Sequence, residues 1–194
     1  MLGVIKSFNI LKGVPMANFL AVTKLEDLSK FGFPCFLKAD VVGHKSEMGA
    51  VVQCYDVEDA KDKLRKMHLK FSKNRIIVQE NFEGIEMIVG MKSDDVFGKL
   101  LVVGFGGIFT EVKKNISFRA LPVVRQDIVE MINDLSGTEV FRARGKKYDI
   151  EKLITLIEKV VYLGNKVNVK ELDLNPVIVG EKVSKIVDAR MELD

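Results

Sequence analysis

Residues 34–52 read Pro34-Cys-Phe-Leu-Lys-Ala-Asp-Val-Val-Gly-His-Lys-Ser-Glu-Met-Gly-Ala-Val-Val52. Two apolar runs flank a polar segment that holds Gly43, His44, Lys45, Ser46 and Gly49. The pattern predicts a strand ending near Lys38, a glycine-bounded loop, and a second strand from Ala50. Glycines near both ends let the loop backbone approach a ligand and move. The stretch offers an imidazole and two ammonium groups. Lysine binds phosphate as a point charge, and neutral imidazole acts as a nucleophile near pH 7.

Upstream, residues 2–11 predict a short helix stopping at Gly13, and 14–21, with Pro15 near its start, an edge strand. Thr23-Lys-Leu-Glu26 has the spacing of a capping box before a short helix. Downstream of the loop, Asp56 is placed to cap a longer helix whose stripe is Val57, Ala60, Leu64, Met67 and Phe71. Residues 75–79 form a further strand. The first part therefore reads β-α-β-β-α-β, and the polar segment Gln79 to Gly84 separates residues 1–80 from residues 81–194. The second part predicts strands at 85–91, 100–103 and 117–121, helices at 126–135 and 150–163, and a final pair at 167–172 and 183–187. Ile150, Leu153, Ile154, Ile157, Val160 and Val161 are the expected buried face of the last helix. The fold class is α+β, two subdomains each with its own sheet.

The composition narrows the function classes. A chain of 194 residues with 47% hydrophobic content suits one domain or two small ones with a true core. A net charge of +3 without a Lys/Arg block gives no argument for nucleic acid. Cys35 and Cys54 sit in apolar runs and read as buried thiols of a reducing compartment. No signal peptide or membrane-length apolar run is present, so the expected location is the cytoplasm.

Three further stretches carry candidate chemistry. In Glu171-Leu-Asp173-Leu-Asn175-Pro176 the polar residues alternate with leucines and point to one face of a strand, with Asp188 on the return strand. Two carboxylates and an amide side by side suit Mg²⁺ as hard oxygen ligands; the other reading is the solvated face of an edge hairpin. Gly104, Gly106 and Gly107, with Arg119 on the next strand, are a candidate phosphate site, and a tight turn is the other reading. Lys38 ends an apolar strand, where its charge needs a phosphate or a carboxylate. Glu80 and Glu86 flank the boundary between the two parts.

Taken in order, Gly32-Phe-Pro-Cys-Phe-Leu-Lys38, His44-Lys-Ser46, Phe97-Gly98, Gly104-Phe-Gly-Gly-Ile-Phe-Thr-Glu111, Ser117-Phe-Arg-Ala-Leu-Pro122, Arg144-Gly145, Glu171-Leu-Asp-Leu-Asn-Pro176 and Val187-Asp-Ala-Arg190 resemble the ATP-grasp β subunits of ADP-forming acyl-CoA synthetases. The resemblance runs from about Ile5 to Leu193. It implies an ATP-grasp fold with a nucleotide cleft between the subdomains. ATP or ADP would be contacted by Lys38, Lys45, Ser46, Glu80 and Glu86, and Mg²⁺ by Asn175, Asp188 and Asp173. His44 would be the catalytic phosphoryl carrier, working with a CoA-binding α subunit that holds a second phosphohistidine. The implied reaction is acyl-CoA + ADP + phosphate ⇌ acid + CoA + ATP. Asn115 departs from the aspartate usual in the family, Met48-Gly-Ala50 from the usual Gly-Gly-Val, and the N-terminus is shorter than in most relatives. The alternative reading is a nucleotide-sensing or scaffolding subunit without turnover.

Overall fold

The apolar run 35–39 forms a strand paired on both sides. In the computed structural model, which describes residues 1–41, 48–107 and 115–193, β1 spans Phe19–Ala21, β2 Cys35–Ala39, β3 Val51–Cys54 and β4 Ile76–Glu80. They form an antiparallel sheet in the order β1-β4-β2-β3. The register sets Lys38 between Val51 and Ile77, and Cys35 between Cys54 and Glu80. Helix α2 (Val57–Lys70) packs on this sheet through Ala60, Leu64 and Met67, which join Leu37, Ala39, Ile76 and Val78 in one buried cluster. Asp56 caps it as expected, its carboxylate accepting the Asp59 N–H at 2.9 Å.

The short helix before β2 is 3₁₀, Leu25–Lys30, and its cap differs from the expected one. Asp27, not Glu26, reaches back: its carboxylate accepts from Thr23 N–H at 3.0 Å, Thr23 Oγ at 2.9 Å and Lys24 N–H at 3.1 Å. Lys30 closes the set at 2.7 Å. The tighter 3₁₀ turn and a start one residue later move the capping acid by one position.

The N-terminal segment pairs far along the chain. After α1 (Val4–Ile10), the Pro15 carbonyl accepts the Ile186 N–H at 3.0 Å, and Leu2 N–H donates to Met191 O at 2.7 Å. Lys6–Met16 therefore groups with Met1–Leu2 and Phe82–Asp194 as one compact unit, while Gly3–Ile5 and Ala17–Asn81 form the other. This engagement of residues 14–16 also leaves β1 only three residues long, against the eight expected.

The larger unit carries β5 (Ile85–Asp94), β6 (Gly98–Phe105), β7 (Ile116–Ala120), α3 (Arg125–Asn133), a 3₁₀ helix (Thr138–Gly145), α4 (Ile150–Lys166), β8 (Val169–Val179), β9 (Ser184–Ile186) and β10 (Arg190–Leu193). Its antiparallel sheet runs β10-β8-β5-β6-β7, with β9 on β8. The expected stripe of α4 is buried at Leu153, Ile154, Ile157 and Val160. Gly164 of α4 lets Met91 of β5 approach; a Cβ there would lie 2.5 Å from the Met91 Sδ. Strand β8 is longer than expected and continues through Asn175 and Pro176. Proline has no N–H to give the ladder. The β5–β8 register shifts between Met87 and Val89, and the Pro176 carbonyl is still used, by the Val187 N–H at 3.0 Å. Strand β10 is additional to the expected strands. No helix among the described residues is long and apolar enough to cross a membrane.

This packing makes two measurable demands. Ile157→Ala removes a fully buried side chain and is expected to cost about 2–5 kcal/mol in denaturant unfolding. Lys30 and the Thr23 and Lys24 donors hold the Asp27 carboxyl far below its usual pKa. A lowered folded-state pKa gives stability that is present above the unfolded value of about 3.9 and is lost as the pH falls through the folded-state value. The stability advantage of wild type over Asp27→Asn should thus be constant above about pH 5 and shrink on acidification below about pH 4; urea midpoints measured across that range check it.

Candidate functional site

Antiparallel pairing decides which side chains of the larger sheet share a face. Arg119, Leu101, Met91, Leu172 and Met191 lie in one cross-strand row, and Met91 of that row meets α4. The adjacent row, Phe118, Val102, Gly90, Asp173 and Arg190, must point to the opposite face. Along β5, Glu86 and Ile88 share that second face with Gly90, and Asn175 shares it with Asp173 on β8. The polar face expected for Asp173 and Asn175 is therefore present, with Glu86 on it. Arg119 is on the other face, where it forms a 2.8 Å ion pair with Asp134 beyond the last turn of α3. The structure does not bring it to the glycine turn.

The backbone also brings Asp188 to the hairpin. Val187 is bonded to Pro176, and Arg190 is paired with Asp173, so residues 187–190 run alongside 173–176. Asp173 and Asp188 are half-buried and Asn175 is exposed. Among the described residues no group of three His, Cys, Asp or Glu is gathered. Two carboxylates and an amide are instead an all-oxygen set of low charge. Such a set fits Mg²⁺, which keeps several waters and shares its shell with phosphates.

A cavity of about 400 Å³ opens in the same unit. One wall is Gly84, Ile85 and Glu86 at the start of β5; a second is Phe105, Gly106 and Gly107 at the end of β6. Ser136, Gly137 and Val140, where α3 gives way to the 3₁₀ helix, close it. Phe105 is backed by Phe141, the ring centroids 5.6 Å apart.

The glycines of 104–107 have steric reasons to be there. A Cβ on Gly104 would lie 2.8 Å from the Asn115 carbonyl oxygen, and one on Gly106 would lie 3.1 Å from the Glu86 Cβ. Gly107 has φ +62°, and its Cβ would lie 2.7 Å from Glu86 Oε2. The Gly106 N–H is already given to the Glu86 carbonyl at 2.8 Å. The turn is thus pressed against a carboxylate and has one amide committed.

The opposite wall is held by Asn115. Its Nδ2 donates to Ser136 O at 2.5 Å, and its Oδ1 accepts the Ser136 N–H at 3.0 Å. Sequence reading missed Ser136, Gly137 and Val140; the Ser-Gly step after a helix signals a turn but not a pocket wall.

In the smaller unit, Lys38 is only 4% exposed in the centre of the sheet, where a charge must be met by another polar group. Both oxygens of Glu80 are engaged by Asn18, through its N–H and its Nδ2, each at 2.9 Å. His44, Lys45 and Ser46 lie outside the described residues.

Comparison with known proteins adds a family to this geometry. Residues 8–193 match the ATP-grasp domain family. The chain is 34% identical to subunit beta of the ADP-forming acetate–CoA ligase I of Pyrococcus furiosus, over 94% of this chain and 87% of that one. It is 33% identical to the ADP-forming acetate–CoA ligase II of Archaeoglobus fulgidus, over 84% of this chain but only 25% of that protein. Thus it spans most of the first relative and about a quarter of the second. Two structures of the acetyl-coenzyme A synthetase 1 of Ca. Korarchaeum cryptofilum superpose with TM-scores of 0.88 and 0.84, both at 30% identity, over 100% and 98% of this chain and 93% and 92% of theirs. The first is a complex with coenzyme A, Ca-AMPCP and HgCl+. The second holds coenzyme A and Mg-AMPPCP, with its phosphohistidine segment pointing towards the nucleotide binding site. The chain therefore belongs to the ATP-grasp family, among the relatives of the β subunits of ADP-forming acetate–CoA ligases.

Proposed function

We propose that this chain is the nucleotide-binding β subunit of an ADP-forming acyl-CoA synthetase. The observation that carries the reading is the shared sheet face on which Glu86, Asp173 and Asn175 stand, with Asp188 drawn alongside. Glu86 would take the nucleoside end, accepting hydrogen bonds from ribose hydroxyls at the rim of the cavity; its charge keeps phosphates away from that end. Asp173, Asn175 and Asp188 would hold Mg²⁺, which when bound offsets phosphate charge. Lys38, Lys45 and Ser46 are further candidates for phosphate contacts, and Glu80 for a nucleotide contact.

His44 would carry the phosphoryl group. Its unprotonated ring nitrogen attacks the γ-phosphorus in line, a P–N bond forms, and the P–O bond to the leaving ADP breaks with its electron pair. No proton has to leave the ring before attack. The group then passes to a CoA-binding partner subunit with a histidine of its own, where acid and CoA are joined. Support comes from the relatives at 34% and 30% identity, both named ADP-forming acetate–CoA ligase subunit beta, and from the phosphohistidine segment of the Korarchaeum enzyme. A cytoplasmic setting suits two buried, unbridged cysteines. Asn115, the departure that favours a subunit without turnover, is hydrogen-bonded to Ser136, and labelling of His44 decides between the two readings.

The test is incubation with γ-labelled ATP and Mg²⁺, with and without the CoA-binding subunit. Acid-labile, base-stable label is expected on wild type and absent from His44→Ala, which should still bind ATP. Unlabelled wild type that binds ATP with the partner present would sink the carrier mechanism. Independently, Gly107→Val puts a side chain against Glu86 at a positive φ. It is expected to weaken ADP binding at least about tenfold, read by calorimetry.

A further inference from the structure

Asn115 joins two walls of the cavity. Its carbonyl accepts the Phe105 N–H at 3.2 Å, on the β6 wall. Its side chain grips the facing wall twice, donating to the Ser136 carbonyl and accepting from the Ser136 N–H. Ser136 stands between buried Leu135 and Gly137, whose φ is +90°. The Gly137 carbonyl then accepts the Val140 N–H at 3.1 Å, so the placement of Ser136 carries through to Val140, also in the wall.

In this chain the two bonds use both atoms of the amide. One Asn115 atom donates and the other accepts, which matches a backbone carbonyl and N–H presented together. A carboxylate keeps the acceptor but loses the donor, and it sets an anionic oxygen against the Ser136 carbonyl oxygen. An alanine loses both bonds and leaves two backbone groups to find other partners.

We propose that Asn115 is a positioning residue of this pocket: its amide fixes the Ser136–Val140 wall at the separation from Phe105–Gly107 that admits a nucleoside. The inference rests on the nucleotide reading of the pocket under Proposed function. Asn115 acts through Ser136. When the wall stands in the competent position for only a fraction of the time, the apparent Kd rises by the inverse of that fraction.

The experiment titrates ADP into wild type, Asn115→Asp and Asn115→Ala by calorimetry, with melting temperatures and amide hydrogen exchange measured on the same samples. Asn115→Ala, which removes both bonds to Ser136, is expected to weaken ADP binding about tenfold or more. Exchange should quicken at residues 136–140 and stay unchanged in β5 and α4. A residue with only a general structural role would instead lower the melting temperature and quicken exchange across the sheet. Should Asn115→Ala not fold, Asn115→Asp carries the same readouts, because it keeps the bond from the Ser136 N–H and loses only the donated one. Folded variants that bind ADP within twofold of wild type, or whose 136–140 amides exchange as in wild type, overturn the proposal. Wild type that binds no ADP overturns the nucleotide reading instead, and the exchange at 136–140 then decides the positioning role alone.

Discussion

The pairing of β5 with β8 on one side and β6 on the other is the constraint on which the larger unit depends. It fixes Gly90 opposite both Asp173 and Val102. Because side chains alternate along a strand, that single register sorts every neighbouring residue onto one face or the other. Met91, Leu101 and Leu172 go to the helix-covered face and form core. Glu86, Asp173 and Asn175 go to the other. A slip of one residue would bury the carboxylates under α4 and expose the leucines, so the apolar face enforces the polar one. The register shift between Met87 and Val89 keeps this sorting intact while a proline passes through β8.

Close approach is the second theme of this unit. Gly106 and Gly107 let the end of β6 lie against Glu86, and Gly104 lets β7 lie on β6. Each glycine removes a side chain that would otherwise hold two backbones apart. Among the described residues, the result is a cavity whose rim has one carboxylate and whose walls are largely backbone and apolar side chains. Such a site orients a ligand by a few polar contacts and excludes water with the rest. Asn115 does for the facing wall what the glycines do for this one: it sets distance between backbones.

Much of this was legible in the chain. Ala60, Leu64 and Met67 in α2, and Leu153, Ile154, Ile157 and Val160 in α4, announce their helices by period, because burial on one face demands it. The alternation Glu171, Asp173, Asn175 announces a strand with a polar face for the same reason. What escaped was non-local. Arg119 stands fifteen residues from Asp134, to which it is tied, and nothing in the spacing marks that pair. Ser136 and Gly137 read as a turn; that Asn115 holds them against the end of β6 depends on a hydrogen bond across 21 residues. The pairing of Pro15 and Met16 with Ile186 of β9 is longer-range still. The capping error at Asp27 is of another kind, a local one, since a 3₁₀ start offset by a single residue changes which acid faces the free N–H groups.

The positions on the shared face also set the direction in which a ligand lies. Along β5, Glu86 is four residues from Gly90, the partner of Asp173, or about 13 Å at the rise of a strand. Asn175 stands opposite the stretch around Ile88, about half as far along. Both ends of this span are acidic, but they are acidic in different ways. Glu86 is a carboxylate beside a cavity with apolar walls, and Gly107 packs against its oxygen, so an anion at that end meets its charge. Asp173, Asn175 and Asp188 are a set that a divalent cation can neutralise. A ligand that is neutral and hydroxylated at one end and polyanionic at the other meets both demands only one way round. The same ligand reversed would place its phosphates against Glu86. The sheet face thus has two ends that differ in charge and in what could neutralise them.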